Sequence, residues 1–182
     1  AILEGQATLA QLKVLMPKQR PDTFPEGWFW KMRSAMAQQQ AQMKEFERAP
    51  LWLREGLIFP YLGGADFMVW YRRTYFGRSV LDSLPRSTEQ ILHPERYGRH
   101  DEPTELSFEG GRAGDVKWED GLGEFETRLV FQQQLGNEAE AIMLASGWDG
   151  DRYQVLGANA DRLVWYSVWD DAGAGTWFGG GL

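Results

Sequence analysis

A chain of 182 residues, 43% of them hydrophobic, is long enough for one domain or two small ones with a sizeable core, and nine Trp, ten Phe and six Tyr place much of that core in rings. The formal charge of -7 is unevenly placed: residues 1–100 carry 14 basic and 10 acidic groups, residues 101–182 carry 5 and 16, and so acidic a second half excludes nucleic acid as a natural partner. With no cysteine, disulfides, thiolate metal sites and cysteine nucleophiles are excluded, and no run approaches eighteen uninterrupted apolar residues, so no transmembrane segment is expected.

Residues 1–16 repeat apolar side chains at Ile2, Leu9, Leu12 and Met16, with Leu3, Ala7, Ala10 and Val14 adjoining, and Pro17 stops the run. The pattern predicts a buried or nearly buried helix. No signal-peptide pattern opens it, and Ala1 already falls within helix, so an upstream segment is expected. Glu4 stands among Ala1, Gly5, Ala7 and Thr8, small neighbours that would let another helix approach a carboxylate. A carboxylate so placed needs a cationic partner, hydrogen bonds or a metal, and an arginine ion pair is the plainer of these readings.

Residues 18–27 read as a loop and residues 28–48 as a second helix with a glutamine-rich polar face at Gln38, Gln39, Gln40 and Gln42. Residues 51–59 form a short amphipathic segment interrupted by Pro60, and residues 62–76 predict a further helix ending at Gly77. Its end mixes rings with cations: Trp70, Tyr71, Arg72, Arg73, Tyr75, Phe76 and Arg78. This is a candidate contact surface for a protein partner or a membrane, although arginines at a helix end also complement its dipole.

The least generic run spans residues 84–97. Pro85 sets an extended entry, Ser87 can cap a short helix with Gln90 reaching back, and Pro94 ends that helix after His93. A turn fenced by two prolines fixes the directions of Glu89, Ile91, Leu92 and His93, and can present polar groups to a cleft. The plainer reading is a connector with Ile91 and Leu92 in the core.

Residues 98–114, rich in Gly, Pro and charge, read as a surface excursion, and residues 115–119 as a short strand. Residues 121–135 predict a helix with the stripe Leu122, Phe125, Leu129 and Val130, ended by Gly136, and Asn137 caps the next helix with Glu140 in the third position. From Trp148 the period becomes two: residues 151–156 and 162–169 predict a hairpin, its second strand apolar or aromatic on both faces and hence covered on both sides. Asp149-Gly150-Asp151 reads as a turn rather than a calcium loop. The tail begins with two aspartates and runs into Gly179-Gly180-Gly181. The fold class expected is α+β, helix-dominated with a C-terminal antiparallel hairpin, organised as a helical part over residues 1–97, an excursion over 98–120, and a helix pair plus hairpin over 121–182 that packs with the first part as one unit.

Several segments together resemble the C-terminal part of a bacterial family of gluzincin-type zinc-metallopeptidase-like proteins. They are Glu4-Gly5-Gln6-Ala7-Thr8, Pro60-Tyr61 with Gly63, the run from Ser87 to Tyr97, Leu122-Gly123-Glu124-Phe125, the run from Ala145 to Tyr153, and Val168-Trp169-Asp170, in family order over most of the chain. The resemblance implies an extracytoplasmic protein in which Glu4 is the third zinc ligand and peptides are the substrate. For His93 we expect a role in stabilising the oxyanion, and for Glu89 a role in orienting His93. The family's His-Glu-x-x-His is absent from these residues, so no cofactor is expected for this chain alone, with zinc only if an upstream segment brings that motif. The glycine-heavy end also departs from a family that tends to finish in a polar helix. Two readings follow: a metallopeptidase-like scaffold, inactive or incomplete as it stands, and a structural or accessory subunit of a larger extracytoplasmic or membrane-attached assembly. A ligand pocket lined by tryptophans stays open as a third, as does peripheral membrane association.

Overall fold

The computed structural model describes residues 1–33, 35, 46, 48–109, 115–170, 172–173 and 175. The fold is α+β and helix-dominated, with a three-stranded antiparallel sheet towards the C-terminus. The chain divides into two compact units, Ala1–Pro85 with Gln90–Arg99, and Arg86–Glu89 with His100–Leu182.

The first unit is organised around two helices. Helix α1 (Ile2–Leu15) ends, as Pro17 dictates, with Met16 N–H donating to Leu12 O. It buries Ile2, Gly5 and Leu9, while Leu3, Val14 and Leu15 are exposed. The expected nearly buried helix is therefore buried along one stripe only. Helix α2 (Trp28–Lys31) covers the start of the expected second helix, and its glutamine face at residues 38–40 and 42 lies outside the described residues.

Helix α3 (Leu51–Thr74) is one continuous element of 24 residues with Pro60 inside it, where the sequence predicts a break. Proline costs roughly 3 kcal/mol in a helix interior, through a lost hydrogen bond and crowding of the preceding turn. A buried face that continues from Ile58 and Phe59 through Leu62, Ala65, Phe67, Met68 and Val69 spans the proline. Several such side chains at about 1.5–3 kcal/mol each outweigh that cost.

Helix α1 meets α3 at Gly5 and Gly64. A Cβ built on Gly5 would fall on the Gly64 carbonyl and 2.7 Å from Ala65 N, and one on Gly64 would fall on the Ala1 carbonyl. The small residues around Glu4 thus do bring a second helix close. The residue turned to it is Gly5.

At the other end of α3, Phe67, Trp70, Tyr71, Tyr75 and Tyr97 form a ring cluster, with Phe67 and Tyr97 5.3 Å apart at 87° and Tyr71 and Tyr75 5.1 Å apart. The hydroxyl of Tyr71 donates to Ser79 O at 3.1 Å and that of Tyr97 to Ser83 O at 2.8 Å, so both polar tips are satisfied. Helix α4 (Thr88–Leu92) and helix α5 (Pro94–Gly98) flank His93, which stands at the N-cap position of α5. Pro94 ends α4 as the sequence predicts, and it also opens α5, which the sequence does not predict.

The second unit contains β1 (Val116–Asp120), α6 (Glu124–Leu135), α7 (Glu138–Ala145), β2 (Trp148–Leu156) and β3 (Arg162–Trp169), with β2 central in the sheet. Gly136, at φ +66, ends α6, and the Asn137 side chain accepts from Ala139 N at 3.1 Å and Glu140 N at 3.3 Å to start α7. Phe131, Ala141 and Ala145 are buried together, and Leu144 and Trp169 pack on them. The expected hairpin is present, paired from Trp148 with Trp169 to Leu156 with Arg162.

Two expectations for the hairpin are corrected. Leu163 and Tyr166 of β3 are exposed, so its apolar character does not bring cover on both faces; among the described ring contacts Tyr166 has one, from Phe108 at 5.5 Å. Asp149-Gly150-Asp151 is not a free turn but lies inside β2, at a register shift between Trp148 and Gly150. Thr104 N–H donates to Asp149 O at 2.7 Å, and a Cβ on Gly150 would fall on the Thr104 carbonyl. Glycine at that place admits the strap that runs through residue 104.

Candidate functional site

The second unit is built on one carboxylate. Asp151, in β2, is 8% exposed and accepts four hydrogen bonds: Leu122 N–H to Oδ2 at 2.8 Å, Gly123 N–H to Oδ1 at 2.8 Å, the Trp148 indole N–H to Oδ1 at 3.1 Å and the Trp165 indole N–H to Oδ2 at 2.9 Å. An ionised carboxylate is an acceptor with about four lone-pair sites, and here each meets a donor. The loop before α6 is shaped for this. Gly123 has φ +87, and a Cβ there would crowd the Thr88 hydroxyl, which itself accepts Phe125 N–H at 3.2 Å. Thr88, Gly123, Phe125, Trp148 and Asp151 come from three of the segments that carry the family resemblance, and this is where those segments meet.

Glu126 lies against the same loop. Its Oε2 is buried with no hydrogen-bond partner among the described residues, 3.5 Å from where a Gly123 Cβ would stand. Burial, helped by the Asp151 charge and opposed by a backbone hydrogen bond, pushes its pKa from 4.5 to about 7. A carboxyl that titrates near neutrality can take or give a proton under ordinary conditions. The sequence does carry a trace of it: Glu126 falls four residues after Leu122 and three before Leu129, on the apolar stripe, where an acid has no business unless it is neutral or paired.

The sign of the resulting pH effect follows from that displacement. The folded state prefers the neutral acid, so the stabilisation is complete below the ordinary value and disappears as pH rises through about 7. With some solvent access discounted, the loss between pH 4 and 8 is about 2 kcal/mol. Urea unfolding at both pH values should show it, and Glu126→Gln should flatten the difference; an equal pH response in the variant would contradict the assignment.

Asp66 is a second functional carboxylate that pattern reading missed. From α3 its two oxygens accept Phe29 N–H at 3.0 Å and Trp30 N–H at 2.8 Å, holding the first turn of α2, and burial raises its pKa against those hydrogen bonds. It is placed to fix the fold, as an N-terminal cap supplied from another helix.

Glu4 and His93 belong to the first unit and Glu89 to the second. Glu4, 40% exposed, pairs with the Ala1 amine at 3.0 Å, and its pKa is lowered by a backbone hydrogen bond and then by that amine. Among the described residues, no ion pair joins Glu4 to an arginine. Glu89 is 1% exposed and belongs to the second unit, while His93 belongs to the first, is 31% exposed, and has Nδ1 3.9 Å from Glu95 Oε1. Among the described residues, no group of three or more His, Asp or Glu is arranged to hold a metal ion. A catalytic zinc takes three protein ligands, of which Glu4 alone is a candidate among the described residues.

The ring-and-cation segment has two faces. Tyr71 is buried and Trp70 half-buried in the ring cluster; Arg73 donates from Nε to Asp22 O at 2.6 Å and also to Phe24 O. Phe76 is 94% exposed, and Arg78 is exposed beside it. Comparison with family models, with curated proteins and with solved structures returns no match to this chain.

Proposed function

We propose that the chain is a non-catalytic subunit on a metallopeptidase-like scaffold, a structural or accessory component of a larger extracytoplasmic or membrane-attached assembly whose contact surface is the exposed part of residues 70–78. One observation supports this reading: Thr88 of the most specific run and its companion Asp151 are consumed by folding. Glu89 is enclosed, the Thr88 hydroxyl holds Phe125 N–H, and Asp151 is saturated by four donors. Thr88 and Asp151, satisfied in this way, cannot engage a peptide without breaking the bonds that hold the loop before α6. At the end of α3, Phe76 and Arg78 are exposed and available to meet another molecule.

The zinc content and peptide-bond hydrolysis of purified full-length protein, with Glu4→Gln as control, test this. The reading expects equal zinc content in the two proteins and no hydrolysis by either. Stoichiometric zinc that is lost in Glu4→Gln overturns it in favour of a peptidase completed by an upstream His-Glu-x-x-His.

A further inference from the structure

Within the first unit, the C-terminal end of α3 borders a cavity of about 480 Å³ lined by Lys13, Arg72, Arg73 and Arg78, with Asp22 the one acid and Phe76 at the rim. Among the described residues Lys13, Arg72 and Arg78 form no ion pair, and Arg73 is occupied by main-chain carbonyls, which leave its charge in place. The simplest explanation of cations here is the helix dipole, since Lys13 lies in the last turn of α1 and Arg72 and Arg73 in the last turn of α3. Each helix end offers about half a negative charge, and the effect fades within a turn. Two ends and Asp22 therefore balance about two of the four cations, and Arg78, beyond the helix, is not covered by this account at all.

About two positive charges converging on one opening attract a phosphate group, more than balancing the single charge of a phosphodiester, and guanidinium forks suit its oxygens in pairs. Phe76 narrows the source of that phosphate. The ring projects into solvent beside Gly77, whose φ of +76 turns the chain back, and it has neighbours of opposite character, cations on both sides in sequence. A soluble anion has no use for such a ring. A bilayer surface does: an aromatic side chain buries itself at the headgroup level while adjacent Lys and Arg meet anionic lipid. No described helix is long and apolar enough to cross a membrane, so attachment by this surface would be peripheral.

We infer that this groove binds the phosphate of an anionic phospholipid, with Lys13, Arg72 and Arg78 on the headgroup and Phe76 inserted beside it. The inference rests on the reading of residues 70–78 as the contact surface, and names what they contact. Cosedimentation of the full-length protein with phosphatidylcholine vesicles, with or without about one third phosphatidylglycerol, tests it. Binding should require the anionic lipid, fall with added salt, and weaken about tenfold or more in Arg72→Gln/Arg78→Gln. Phe76→Ser should weaken vesicle binding as well, while leaving any binding of inorganic phosphate unchanged. All these side chains are at the surface, so the thermal midpoints of the variants should stay near that of the wild type, and Arg73 is left intact because it ties down the loop at Asp22 and Phe24.

Equal binding to neutral vesicles, Arg72→Gln/Arg78→Gln that binds anionic vesicles like the wild type, or Phe76→Ser with undiminished vesicle binding would overturn the inference; the last would make the groove a site for phosphate of any source. None of these outcomes alters zinc content. A failure here is thus distinct from a failure of the accessory-subunit reading.

Discussion

Asp151→Asn is expected to unfold the second unit at far milder conditions than the wild type. Asparagine keeps the volume but presents one oxygen and one amide where the carboxylate presents two acceptors. The N–H groups of Leu122, Gly123, Trp148 and Trp165 would then compete for one oxygen, and at least one pair would face the amide hydrogens. Hydrogen bonds to a charged acceptor are worth about 1.5–3 kcal/mol each, and buried donors left without one cost about 1–3 kcal/mol. A loss of about 4 kcal/mol is therefore expected, or roughly 15 °C or more in midpoint for a unit of this size. Calorimetry with near-ultraviolet circular dichroism of the tryptophans measures it. Trp148→Phe and Trp165→Phe should each cost less, since each removes one donor and leaves the acceptor with three. A midpoint within a few degrees of the wild type in Asp151→Asn would mean that the loop before α6 has other anchors.

The second large effect has a sign opposite to that suggested by helix propensity. Alanine is favoured over glycine in a helix interior by about 1 kcal/mol, so Gly64→Ala and Gly5→Ala would stabilise an isolated helix. In the packed unit the added methyl meets main chain rather than a side chain that can rotate: the Ala1 carbonyl for Gly64, and the Gly64 carbonyl with Ala65 N for Gly5. Helix α1 must lift away from α3, and the contacts of Ile2 and Leu9 with the core are lost in part. Overpacking costs about 1–3 kcal/mol and more where backbone must move, so a net loss of about 3 kcal/mol is expected for either variant. Thermal unfolding gives the magnitude, and limited proteolysis should cut first within α1. An unchanged or raised midpoint would show that the two helices can separate without penalty.

Local rules written into neighbouring residues were legible in the sequence. Pro17 ends α1, Gly136 and Asn137 divide α6 from α7 by a left-handed residue followed by a side-chain cap, and the change of period at Trp148 marks the hairpin. Each is settled within a few residues, where propensity and hydrogen-bonding chemistry act directly. What local reading could not reach depends on partners far along the chain. Pro60 looks like a stop because the burial that carries α3 across it is tertiary. Asp66 and Asp151 look like ordinary polar residues because the main-chain donors they hold lie about thirty positions away. Glu126 could have been found, as an acid on the apolar stripe of its own helix.

The site was legible in another way. The resemblance singled out Thr88, Gly123 and Asp151 as members of separate runs, and the structure brings them together. Specific spacing in the run that holds Thr88 also points to Glu89 and His93, the first enclosed and the second part-exposed. A buried hydrogen-bond hub restricts its residues as narrowly as catalysis does, because each donor admits only one geometry. Glu4 illustrates the converse: glycine and alanine around an acid suggested a sheltered carboxylate, whereas the space they clear is filled by the backbone of α3 and the acid remains half exposed.

Hydrogen exchange at the indole N–H groups of Trp148 and Trp165, followed by nitrogen-15 NMR and assigned with the two phenylalanine variants, tests most directly whether Asp151 and its donors hold the unit together. Both protons should exchange only on opening of the second unit, at the rate of its most protected amides, and both should become fast in Asp151→Asn. Exchange on the timescale of an exposed indole in the wild-type protein would contradict the carboxylate hub.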